Sequence, residues 1–342
     1  MKKLALLATT LALVSGGALA ADIPLKALKA PPAPAFEPWD IAFGGGVLSD
    51  YVFRGVTQSN HQPSVTAYFE PRYNVNKDVQ LYIGSSIESI AYANRAAAEV
   101  DIYGGIRPTF GAVAFDFGVW GYLYPGGTCF FGVPGVDFTN KSVGTECATN
   151  SIANGNVIKK DVSFFEVYGK GLYTVNDSWA FGVTEFYTPS FLNTGAWGDY
   201  FSGTFKYTAP GTALPNGVGL YVSGEFGRQF LGTTDSFYGT ASSPQSVAAH
   251  FAGPFFPNGI KYADYNTWNI GIGFTYKVFT LDLRYSDSDL SKGNCNAFTS
   301  AFNGSGNTNV TPINPTGVGT NWCGAAGIAK LSFDLTAIAN LK

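Results

Sequence analysis

The chain has 342 residues and a net charge of −3, with 13% charged residues, 15% aromatics and 42 glycines. Soluble globular domains carry about 25% charged residues, and no strongly basic stretch offers a footprint for nucleic acid. A helical membrane protein is excluded too. The longest uncharged aromatic-rich stretch, 117–136, holds six glycines with Pro125 and Pro134, which no membrane helix tolerates.

The first twenty residues read as a secretory leader. Lys2 and Lys3 precede an apolar run from Leu4 to Val14, and Ala18-Leu19-Ala20 supplies a small-x-small cleavage site. Removing it takes the net charge from −3 to −5. Residues 21–38, ADIPLKALKAPPAPAFEP, hold five prolines and no periodicity, so an extended periplasmic segment is expected there. Residues 39–342 are expected to form one barrel.

From Trp39 onward, segments with period-2 alternation are separated by turn-rich stretches. The expected strands are 39–56, 62–75, 79–92, 97–109, 111–125, 161–174, 178–191, 197–209, 217–230, 264–277, 279–289 and 325–338. Alternation is clearest late in the chain. Trp268, Ile270, Ile272, Phe274 and Tyr276 share one face, while Asn269, Gly271, Gly273, Thr275 and Lys277 share the other. Leu281, Leu283 and Tyr285 likewise oppose Asp282, Arg284 and Ser286.

A soluble sandwich would alternate as well, so link lengths carry the distinction. Links after even-numbered strands are short, such as Asn76-Lys77-Asp78 and Val175-Asn176-Asp177, while the long links 126–160, 231–263 and 290–324 all follow odd-numbered strands. Short turns at one end and long loops at the other are the pattern of a transmembrane antiparallel up-and-down β-barrel. The expected fold is therefore all-β, about twelve strands, with short periplasmic turns and long extracellular loops. In the oxidising exported compartment four cysteines imply two disulfides. Cys129 with Cys147 and Cys295 with Cys323 each close one loop. No Cys-x-x-Cys occurs and the two histidines, His61 and His250, lie elsewhere, so neither a metal nor a cofactor is expected.

The segment Ser49-Asp50-Tyr51-Val52-Phe53-Arg54-Gly55-Val56-Thr57-Gln58-Ser59, followed by Pro63, resembles the opening strand of the TorF-like family of outer-membrane porin-type proteins. Val167-Tyr168-Gly169, Tyr187-Thr188-Pro189-Ser190-Phe191 and Leu281 to Asp289 look like its middle and penultimate strands. The resemblance implies a porin-type barrel with no assigned substrate. The long cysteine-bearing loops depart from the family pattern.

Opposite the aromatic stripes lie charges that cannot comfortably face lipid, and these are the candidate pore lining: Arg54, Glu70, Arg72, Glu88, Glu99, Asp101, Arg107, Asp116, Glu166, Lys170, Lys206, Glu225, Lys277, Asp282, Arg284, Lys330 and Asp334. Either they set a field across a water-filled pore, or they form ion pairs that fill a narrow lumen. Arg54 has the same two readings, a selectivity charge near the outer mouth or an anchor pairing with Asp50 or Glu70.

Catalysis has little to stand on. His61 beside Ser59 or Ser64 is the sole seed of a Ser/His pair, and no serine has glycine at both −2 and +2. The expected function is passive diffusion of small hydrophilic solutes or ions through the Gram-negative outer membrane, with a non-conducting structural or surface-binding barrel as the alternative and a hydrolase far behind. Expected partners are outer-membrane lipid, lipopolysaccharide and the barrel-assembly machinery; nucleic acid is not among them, and a monomer is expected.

Overall fold

The structure is a computed structural model that describes residues 13–14, 18–19, 37–128, 158–235, 237–238, 259–306, 308, 314 and 317–341. Most of the leader, the Pro-rich residues 21–36, and Cys129 and Cys147 lie outside the described residues. Twelve strands form a closed antiparallel barrel: β1 (Trp39–Leu48), β2 (Ser64–Asn74), β3 (Val79–Glu88), β4 (Glu99–Phe110), β5 (Val113–Leu123), β6 (Phe164–Thr174), β7 (Trp179–Thr188), β8 (Gly198–Thr208), β9 (Gly219–Leu231), β10 (Tyr265–Tyr276), β11 (Phe279–Ser288) and β12 (Ala326–Thr336). Each pairs with its neighbour in sequence, and β12 returns to β1 with Lys330 opposite Leu48 and Thr336 opposite Ala42. Closure leaves the barrel sheet without an edge, which lipid requires because it offers no hydrogen bonds to a free backbone.

The strands run 10 to 13 residues, the span a tilted strand needs to cross the hydrocarbon core. Their outward positions carry the expected apolar stripe: Ile83, Ile102, Phe117, Val183, Phe226, Ile270 and Leu331 are all exposed. At the short-turn end Trp39 packs on Tyr73 and Trp179 on Tyr207, with ring centroids 4.8 and 4.9 Å apart, which is an interfacial aromatic girdle. A polar outer face with an apolar interior would mark a soluble sandwich; here the order is reversed.

The turns at that end are tight. Gly111 (φ 62°) turns β4 into β5, and Lys277 (φ 55°) with Val278 turns β10 into β11. Lys277 is therefore a correction: it is an exposed turn residue whose ammonium lies 5.3 Å from the Tyr276 ring, not a lumen-facing strand residue. A two-residue turn needs positive φ, and that turns the last alternation position out of the ladder. The links 124–163, 232–264 and 289–325 all leave the opposite end. An epitope inserted at Gly306, where a Cβ would meet nothing within 4 Å, should be stained on intact cells if that end faces outward; staining only after lysis would reverse the orientation.

Candidate functional site: the lumen and the segment folded into it

The first expected strand, 39–56, is shorter than its alternation implied. The ladder with β2 ends at Leu48, and the chain then folds into the barrel. Asp50 organises the turn by accepting from Thr57 Oγ1 at 2.5 Å and Ser59 Oγ at 2.9 Å, with His61 Nδ1 at 2.7 Å from its other oxygen. Beyond it, Val52 pairs with Thr57 and Phe53 with Val56 in a miniature hairpin. Its two turn residues, Arg54 (φ 47°) and Gly55 (φ 75°), both take the left-handed conformation, as the tightest hairpin turn demands. Gly55 also lies against the wall, where a Cβ would meet that of Ser288 at 2.9 Å.

This hairpin carries Arg54 into the lumen, where it meets neither acid proposed for it. Asp50 holds His61, and Glu70 holds Arg72 and Arg107. Arg54 instead donates twice to Glu166 of β6, at 2.8 and 2.7 Å, and once to Gln229 of β9 at 3.0 Å. Its guanidinium also lies 4.6, 5.0 and 4.5 Å from the rings of Phe53, Phe186 and Tyr200. A planar fork matched to one carboxylate and stacked between rings is a site for arginine that lysine cannot fill. Tyr51 adds a second tether, donating to Glu99 of β4 at 2.6 Å.

Above the segment the outer links pack into a cap. Helix α1 (Lys292–Thr299) is fixed by the Cys295–Cys323 disulfide and directs Phe298 onto Phe191, Tyr262 and Tyr265, at centroid distances of 5.7, 5.3 and 5.9 Å. Trp322, fully buried, packs edge-on to Phe302 and donates to Asn60 at 2.9 Å. Thr57 N–H donates to the Trp322 carbonyl at 2.8 Å, so cap and inward segment are joined.

Below it, one wall is a closed network. Arg107 binds Glu70 at 2.8 and 3.1 Å and Asp116 at 3.2 Å, Arg72 donates to Glu70 at 2.5 Å, and Tyr82 bridges Asp116 and Tyr168. The Arg107 guanidinium covers the Tyr82 ring at 3.5 Å, and Lys170 lies 4.7 Å from that of Tyr168. Glu99 and Asp101 are buried at the outer end of the same wall.

The opposite wall is wetter. Arg284 binds Asp282, Asn269 and Ser223, and Tyr221 donates to Asp282 at 2.8 Å. Tyr200 donates to Glu225 at 3.0 Å and Tyr68 to Asp334 at 2.8 Å, while Lys206 lies 4.8 Å from the Tyr221 ring. Glu225, Asn269, Lys206, Lys330 and Asp334 are only half-buried. Glycines opposite the inward tyrosines make both walls possible, since a Cβ at Gly273 or Gly227 would collide with the ring of Tyr221 or Tyr200. That is one physical reason for a chain rich in both residue types.

The Ser/His seed does not assemble. Ser59 Oγ donates to Asp50, and His61 Nε2 lies 3.2 Å from the Asn321 carbonyl oxygen, so among the described residues no serine hydroxyl meets the His61 imidazole as a nucleophile and its base must. The hydrogen bond to Asp50 raises the His61 pKa above its ordinary value against the opposing effect of burial. A group whose folded pKa is raised stabilises the fold below its unfolded pKa, about 6.5, and loses that contribution as pH rises through the folded value. Amides of residues 50–61 should therefore exchange faster at pH 8.5 than at pH 5.5 after correction for intrinsic rates. His61→Gln should remove that difference; a difference that survives places its origin elsewhere.

Residues 32–141 match the model of a bacterial protein family of unknown function, Gcw_chp. The TorF-like likeness of the opening motif remains a resemblance beside it. No curated protein matches the sequence. Among solved structures the chain is similar to the NanC porin (8% identity, 86% of this chain and 100% of that one, TM-score 0.40). It is also similar to Pseudomonas putida OprB (12%, 87% and 93%, 0.36) and to LpxR from Salmonella typhimurium (9%, 86% and 99%, 0.36).

Proposed function

We propose that this chain is a narrow channel of the Gram-negative outer membrane for passive diffusion of small hydrophilic solutes or ions, covered at its outer mouth by its own loops. In this reading residues 1–20 are a cleaved leader and the barrel-assembly machinery inserts the rest. One observation carries the proposal: Glu225, Asn269 and Lys330 face inward near mid-strand in a closed barrel, yet remain half-buried. In such a barrel their remaining exposure is to lumen water, and charged groups in a narrow low-dielectric wall set the local potential for a passing ion.

Single-channel recording in a planar bilayer tests it. Small discrete steps with weak selectivity are expected, because Glu225 and Lys330 offset each other. Glu225→Gln should move the reversal potential toward anions and Lys330→Gln toward cations; a potential unmoved by both would remove these residues from the conducting path. The alternative, a non-conducting structural barrel, draws its support from the buried aromatic cap. It would prevail if folded, heat-modifiable protein gave no steps even after the cap was released.

A further inference from the structure

A second feature of the lumen is separate from the wet wall. Glu88 ends β3 and Glu99 begins β4, and the register sets them directly opposite each other, with Asp101 two residues further along the same face. One carboxylate oxygen from each lies within 4.8 Å of the others, and all three side chains are buried. Three carboxylates this close cannot all stay ionised away from water unless a cation or shared protons intervene.

Glu99 is satisfied by two phenols, Tyr51 at 2.6 Å and Tyr124 at 2.8 Å. Glu88 Oε1 accepts from Thr66 and Asp101 Oδ2 from Ser86, each at 3.0 Å. Glu88 Oε2 and Asp101 Oδ1 close no hydrogen bond of normal geometry, although both residues are more than nine-tenths buried and the Ser86 hydroxyl and Trp120 indole act on them from further off. Buried polar atoms are almost always paired, and two orphaned carboxylate oxygens beside a third carboxylate call for a positive ligand rather than a further acceptor. Lys330, whose charge acts on Glu88 from β12, closes no salt bridge with any of the three. A divalent cation together with that one ammonium would balance three carboxylates.

We infer that Glu88, Glu99 and Asp101 form a binding site for a hard divalent cation of the Ca²⁺ class, seated inside the outer end of the barrel beneath the cap. The donor set is all oxygen, which selects Ca²⁺ or Mg²⁺ over thiophilic metals. Through Glu99 the ion would be linked to Tyr51, and so to the segment folded into the lumen. This site does not depend on the barrel conducting.

The test uses the full-length folded protein in detergent at neutral pH, stripped with a chelator and titrated with Tb³⁺ and then Ca²⁺. Tyr124 donates to Glu99, and the Trp120 indole acts on Asp101, so both are placed to sensitise Tb³⁺. One equivalent of sensitised emission is expected, displaced by Ca²⁺ with a dissociation constant of about 0.1–1 mM, the range of extracellular calcium modules. Asp101→Asn and Glu88→Gln should each weaken binding by at least about tenfold while retaining heat-modifiability. Trp120→Phe removes the indole beside Asp101 but keeps all three carboxylates: it should abolish tryptophan-excited emission and leave the stoichiometry at one. No saturable Tb³⁺ or Ca²⁺ binding by wild type would mean the carboxylates share protons and would overturn the proposal. Unchanged affinity in the folded carboxylate variants, or unchanged tryptophan-excited emission in Trp120→Phe, would overturn it as well.

Discussion

Arg54→Met should destabilise the inward segment by about 3–5 kcal/mol, the cost of breaking a buried ion pair by removing one partner. The pair fits that regime because the Glu166 side chain is 0% exposed and that of Arg54 is 5% exposed. Methionine can occupy the space between Phe53, Phe186 and Tyr200, so most of the loss should come from the stranded carboxylate rather than from packing. Adding Glu166→Gln should restore more than half of it, because a neutral amide beside the Tyr122 hydroxyl is far cheaper to bury than a carboxylate. Hydrogen exchange of residues 49–62 is the direct readout. If Arg54→Met leaves protection there unchanged, the Arg54–Glu166 contact does not hold the segment. If the double variant is as loose as the single one, packing dominates.

The second large effect concerns the cap. Replacing Cys295 and Cys323 with serine removes a cross-link spanning 28 residues, which the chain-entropy model values at about 3–4 kcal/mol. The disulfide orients α1 and therefore Phe298, whose contacts with Phe191, Tyr262 and Tyr265 join three links at the outer mouth. The variant should keep its barrel and heat-modifiability, expose the buried Trp322 to acrylamide quenching, and show larger or more frequent conductance steps than wild type. Buried Trp322 with unchanged steps would mean that aromatic packing alone closes the mouth. Exposed Trp322 without any steps would favour the non-conducting barrel.

These two expectations also separate what could be read from the chain from what could not. The barrel was legible because each of its determinants is local. Period-2 alternation marks the strands, as at Ile270, Ile272 and Tyr276 against Gly271, Gly273 and Thr275, and eleven of the twelve appear within a few residues of their expected ranges, the first ending eight residues early at Leu48. Link length is also local, and it places every long loop at one end. The Cys295–Cys323 bond followed from two cysteines within one link.

The tertiary structure alone decided the interior. The expected strand ran on to residue 56 because no turn signal follows Leu48 directly; where the chain leaves the ladder depends on Asp50 gathering Thr57, Ser59 and His61. The partner of Arg54 lies 112 residues away on β6, reached only once the barrel has closed. The juxtaposition of Glu88 with Glu99 and Asp101 left a fainter trace, two acids spaced i, i+2 on one strand with a third on the strand before. Only the β3–β4 register placed them face to face. Alternation assigns a residue to a face, but the pairs that form across a lumen depend on strand register and barrel closure, which are properties of the whole chain.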